Sequence, residues 1–144
     1  MIISFVPKDL VHTCWEQIKP YMEWAAEYTY GRYTADNIYE CITEYDYQLW
    51  IAYAKKEDSS LDIVGAVVTK FNMYPSKKYV SMVFCGGIEI HEWKDEMLNC
   101  LRHFAKENNC NGLESAARAG WKQIFKSDGY KPLWVTFELP LDKE

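Results

Sequence analysis

Around position 85 the chain sets a thiol and two adjacent glycines, Cys85-Gly86-Gly87, just ahead of a segment that begins Glu89-Ile90-His91-Glu92. Glycines let a backbone come close to a ligand, and a helix starting after them would turn amide donors and the positive end of its dipole toward an anion. A cysteine there is either a reactive thiol or a small buried apolar residue. Glu114 reads as a general base if its surroundings raise its pKa, or as a carboxylate paired to Arg118. His91 is the side chain most responsive to pH near neutrality. Tyr28-Thr29-Tyr30-Gly31-Arg32-Tyr33 gathers three tyrosines and an arginine. These are types enriched where proteins grip ligands and partners, and the segment reads as a pocket lip or as half-packed surface aromatics. Cys100 and His103 share a helical face with Cys110 nearby, but a fourth ligand is not apparent, so no metal site is expected.

The elements that must position these residues follow from periodicity. Met1 to Pro7 reads as a strand. Val11, Cys14, Trp15, Ile18, Met22 and Ala25 recur at helical spacing, with Pro20 expected to kink or break that helix. Thr34 is a good cap for a second helix with Ile38, Cys41 and Ile42 inward. Gln48 to Ala54, Ile63 to Phe71 and Tyr79 to Phe84 are β-rich runs separated by polar connections, which predicts an antiparallel meander. Trp93, Met97, Leu101, Phe104 and Ala105 mark a long helix that ends at Asn108-Asn109. A short strand at 112–116, a helix around 120–126 and a final strand from Leu133 to Leu139 complete the order β-αα-βββ-α-β-α-β. Trp24 and Trp50 are expected in the core.

That order resembles the GNAT superfamily of N-acetyltransferases. So does the close of the short helix, Gly120-Trp121-Lys122-Gln123-Ile124-Phe125-Lys126-Ser127-Asp128-Gly129-Tyr130. In character the chain is most similar to small members encoded by bacteriophages and prophages. The resemblance implies an α/β (α+β) fold with a mixed, mainly antiparallel sheet of about six strands flanked by helices, in one domain over 1–144. It implies acetyl-CoA or another acyl-CoA as cofactor, held where the fourth and fifth strands splay apart. The backbone of Met82, Val83, Phe84 and Cys85 would pair with the cofactor's amides, and Gly86, Gly87 and Arg118 would meet its phosphates. The glycines depart from the superfamily's usual phosphate-loop spacing. Many members return a proton to the leaving thiolate from a tyrosine five residues before the aromatic of the Gly-aromatic pair; here that position is Phe125. Cys85, Glu114 and Tyr130 are the substitutes the resemblance offers for the chemistry. Tyr28, Tyr30, Arg32 and Tyr33 are the acceptor-side candidates.

The function implied is acyl transfer to an amine of a small molecule or a protein. The alternative is a catalytically silent fold that serves as an interaction module, for instance in phage particle morphogenesis. A homodimer is compatible with either. The net charge of −5 and the scattered basic residues give no footprint for a phosphate backbone, so nucleic acid is not an expected partner. No apolar run approaches the roughly 20 residues of a membrane helix, so no membrane partner is expected. Five cysteines without a CxxC pair fit free thiols in a reducing compartment. A cytoplasmic location is expected, in the host cell if the chain is phage-encoded.

Overall fold

The computed structural model describes residues 1–117, 121 and 128–141. Strand β1 (Ile2–Val6) leads through a 3-10 turn (Lys8–Leu10) into helices α1 (Val11–Glu27) and α2 (Ala35–Glu44). Strands β2 (Tyr47–Lys55), β3 (Leu61–Met73) and β4 (Lys78–Gly87) follow, then helix α3 (Ile90–Glu107) and strand β5 (Gly112–Ser115). The strands form one sheet in the order β1-β2-β3-β4-β5. Every pairing is antiparallel except β4 with β5, which is parallel. Parallel neighbours need a long crossover, and α3 supplies it.

Each helix lies where its apolar stripe dictates. Helix α1 buries Val11, Cys14, Ile18, Met22 and Ala26, and α2 buries Ala35, Ile38 and Ile42. These side chains meet Leu49, Ile51, Ala66, Val68 and Phe84 on one face of the sheet. On the other face Trp93, Met97, Leu98 and Leu101 of α3 pack against Trp50, Val67 and Met82. The α3 face also carries a buried polar chain: Trp50 Nε1 donates to Thr69 Oγ1 at 3.0 Å, and that hydroxyl donates to Gln48 Oε1 at 2.8 Å. Thr34 caps α2 as expected, accepting from Asn37 N at 3.1 Å while Asn37 Oδ1 accepts from Thr34 N at 2.9 Å.

Several expectations need correction. Helix α1 runs through Pro20 without a break. A proline removes one backbone donor, and here the buried stripe on both sides of it holds the helix together. Trp24 is on the surface, 37% exposed and edge-on to Tyr28 with centroids 5.1 Å apart. The sheet of the described residues has five strands, not about six, because 133–139 forms no strand. Alternating apolar residues specify a face and not a neighbour. Without a ladder the segment leaves Trp134 and Phe137 exposed at 73% and 91%. The helix expected around 120–126 lies almost wholly outside the described residues, as does Phe125. No helix among the described residues is long and apolar enough to cross a membrane.

Candidate functional site

The opening between β4 and β5 is set by unequal strand lengths. Tyr79 to Met82 pair with Gly112 to Ser115, and there the ladder stops. Ser115 Oγ closes it by donating to the Met82 carbonyl at 2.9 Å. Strand β4 continues to Gly87, so among the described residues Val83 to Gly87 have no strand beside them on that edge. A free strand edge presents backbone donors and acceptors to any extended chain of amides. On the β3 side the register slips, since Val68 faces Phe84 while Thr69 faces Met82. Val83 is therefore the extra residue of a bulge, a device that re-aims side chains and interrupts pairing. Of the four backbone candidates, Met82 is engaged and Val83 to Cys85 line the open edge.

Beyond their backbone edge, Cys85, Gly86 and Gly87 are packed against the protein's own chain. The Cys85 side chain enters an apolar recess with Val67, Met82, Ile90, Trp93 and Met97, and burial pushes its thiol up to about 12. A thiol held neutral is a poor nucleophile. A Cβ on Gly86 would stand 2.4 Å from the Tyr21 carbonyl oxygen of α1. One on Gly87 would stand 2.4 Å from the Val64 carbonyl, which accepts from Ile88 N at 2.8 Å. Both glycines thus serve close contacts within the fold. Helix α3 then begins after Glu89, whose backbone is left-handed at φ 51° and whose side chain makes no capping bond. Glu92 N donates to the Glu89 carbonyl at 2.9 Å, which leaves the Ile90 and His91 amides as the first-turn donors without a side-chain cap. His91 is exposed at that end, and Arg118 lies outside the described residues.

The remaining candidates divide between the two faces. Tyr130 packs on the α3 side against the Trp50 and Trp93 cluster. Burial pushes its hydroxyl up to about 12, with Arg102 pulling down and Asp128 pushing up. Glu114 is on the α1/α2 face, where its Oε1 accepts from Asn72 Nδ2 at 2.7 Å and from the Tyr74 hydroxyl at 2.6 Å. In the 28–33 segment Tyr30 and Gly31 both take positive φ, which throws Tyr30 outward at 83% exposure. Arg32 pairs with Glu138 at 3.3 Å on the surface, and Tyr28 is exposed beside Trp24. Tyr33 alone turns inward, edge-on to Phe84 with centroids 4.9 Å apart. It neighbours Tyr47 and Cys41, and burial is the first cause that raises the pKa of all three groups.

Sequence reasoning did not single out Tyr47, Lys70, Asn72 and Tyr74. A signal was present for Lys70. Ala66, Val68 and Lys70 occupy the same face of β3 by alternation, and a charge that continues an inward apolar set is an anomaly.

A sheet with this strand order and helices on both faces has counterparts among solved structures. The fold is shared with GNAT acetyltransferases. The chain superposes on a probable acetyltransferase with a TM-score of 0.73 and 14% identity over 100% of both chains. Against ribosomal-protein-alanine N-acetyltransferase from Brucella melitensis biovar Abortus 2308 the TM-score is 0.65 with 15% identity, covering 98% of this chain and 100% of that one. A GNAT family acetyltransferase of Staphylococcus aureus subsp. aureus USA300_TCH1516 gives 0.65 and 13%, covering 97% and 98%. No protein-family profile and no curated protein sequence matches the chain. At such identities the likeness is one of fold.

Proposed function

We propose that the chain is an acyl-coenzyme A-dependent N-acyltransferase. The observation that carries this reading is the free edge of β4 from Val83 to Gly87, in a fold shared with acetyltransferases. That edge fits an extended amide chain such as pantetheine, and the uncapped first turn of α3 fits the diphosphate that follows it. When bound, the cofactor supplies an acyl group already activated as a thioester.

The chain's own residues then have limited work to do. Glu114, with Oε1 fixed by Asn72 and Tyr74, takes the proton the amine must lose, directly or through a water. With an acyl thioester bound, Glu114 would accept the proton that the amine gives up as the acyl group passes from sulfur to nitrogen, the carbon–sulfur bond pair going to the thiolate. An alkyl thiolate is a competent leaving group that would collect its proton from solvent, so no acid from the chain is required. Phenylalanine at 125 is therefore tolerable, and Cys85 and Tyr130, both held neutral to about 12, are weak proton donors near neutral pH.

Acetyl-CoA should raise the thermal midpoint. A ligand at 100 times its Kd adds about 2.7 kcal/mol to stability, which a thermal shift assay reads easily. No shift at millimolar acetyl-CoA overturns the proposal. A second reading, an interaction module without turnover, draws on the exposed apolar residues of 133–141, among them Trp134 and Phe137. It would suit a phage structural or regulatory protein. Amine-dependent release of coenzyme A that is lost in Glu114→Gln would exclude it.

A further inference from the structure

The sheet face under α1 and α2 is apolar where the helices lie and polar beyond them. Tyr47 of β2 is in register with Lys70 of β3, Lys70 with Ser81 of β4, and Ser81 with Glu114 of β5. Alternation assigns all four to one face. Leu49 and Val68, two residues from Tyr47 and Lys70, pack toward α1 and α2, while Met82 and Leu113, one residue from Ser81 and Glu114, pack toward α3. Four polar side chains thus make a row across four strands, and two strand spacings separate the Lys70 and Glu114 backbones by about 10 Å. Its β4 member, Ser81, lies two residues before Val83, where the open edge of β4 begins.

Its two charges are held apart and left usable. Both donors to Glu114 bond to Oε1, and among the described residues Oε2 accepts no hydrogen bond. Lys70 Nζ lies 5.5 Å from the centroid of the Tyr47 ring and takes part in none of the described salt bridges. A fixed carboxylate and a cation on the same face of the sheet are complementary to a ligand with the opposite pair of charges.

We propose that this row is the acceptor subsite and that the acceptor is an amino carboxylate, its amine at Glu114 Oε2 and its carboxylate at Lys70 Nζ. The proposal rests on the acyltransferase reading above. Lys70 positions the substrate, and Glu114 handles the proton.

The test compares ω-amino carboxylates of increasing length (β-alanine, 4-aminobutyrate, 6-aminohexanoate) with alkylamines of the same lengths, following release of free coenzyme A from acetyl-CoA. The wild-type protein should favour one amino carboxylate at least tenfold in kcat/KM. Lys70→Met should erase that preference mainly through KM, Lys70→Arg should retain it, and Lys70→Glu should turn it toward diamines. A merely structural lysine would not reverse a charge preference. Acetyl-CoA binding, followed separately by thermal shift, keeps the two ideas apart. If acetyl-CoA stabilises the protein while amino carboxylates react no faster than alkylamines, or none reacts, the subsite is wrong and cofactor binding stands. If acetyl-CoA gives no shift, the acyltransferase reading itself falls.

Discussion

Cys85 shows how a reactive residue type is silenced by where its side chain goes. Its thiol sits among Val67, Met82, Trp93 and Met97, and desolvation alone raises it from 9.0 to about 12. At pH 8 the thiolate population is then roughly a thousandth of an ordinary thiol's, since each pKa unit is tenfold. Alkylation of Cys85 by iodoacetamide, read by mass spectrometry of its peptide, should be slower in the native protein than in urea by about that factor. Equal rates in the two states would remove the burial argument. The pH dependence of stability has a definite sign. The fold favours the neutral thiol, so its contribution is complete below pH 9 and is lost as pH rises toward 12. Urea midpoints should therefore fall between pH 8.5 and 11, and less steeply in Cys85→Ala.

At the scale of elements, the contact between α1 and β4 decides what the two glycines are for. A Cβ on Gly86 meets the Tyr21 carbonyl oxygen at 2.4 Å and its carbonyl carbon at 3.0 Å. Both are helix backbone and cannot rotate aside. Gly86→Ala should destabilise the protein by about 2 kcal/mol, within the usual range for overpacking, measured as a lower urea midpoint with an unchanged slope. Wild-type stability combined with lost acetyl-CoA binding would instead assign Gly86 to the ligand. The same scale shows what could be read in advance. The stripes Val11 to Ala26 and Trp93 to Ala105 and the Thr34 cap are local patterns, so helices and strands were legible. The glycine doublet was legible too, but not its partner, because Tyr21 is 65 positions away in the chain. Nor could spacing reveal the bulge at Val83 or the Tyr47 to Glu114 row, which exist only through register between strands. The last strand failed for a related reason: Leu133 to Leu139 alternates well, yet only a paired neighbour makes a strand.

For the molecule as a whole, the question is what fastens residues 128–141 to the body of the fold. Among the described residues two ion pairs reach that region, and their burial sets their weight. Arg32 and Glu138, each about half exposed and 3.3 Å apart, form a pair that solvent screens. Such pairs contribute about 0–1 kcal/mol, so Glu138→Ala should hardly move the urea midpoint. Lys94 and Asp128 differ. Their side chains are 10% and 13% exposed, and Lys94 Nζ is 2.9 Å from Asp128 Oδ2. Asp95, 3.9 Å from the same ammonium, is 78% exposed and a weak substitute. Breaking a buried pair from one side typically costs 3–5 kcal/mol, while replacing both partners with apolar residues of similar size is often neutral. Asp128→Ala should accordingly lose about 3 kcal/mol, and Lys94→Met with Asp128→Leu should recover most of it, a strongly non-additive cycle by urea unfolding. Additive losses would mean that the pair is not what holds this end. Lys94 also lines the recess that takes up Cys85, so the pair joins the anchoring of residue 128 to the wall behind the open edge of β4. If the cycle couples as expected, Asp128→Ala should also weaken acetyl-CoA binding, whereas Glu138→Ala should leave it unchanged.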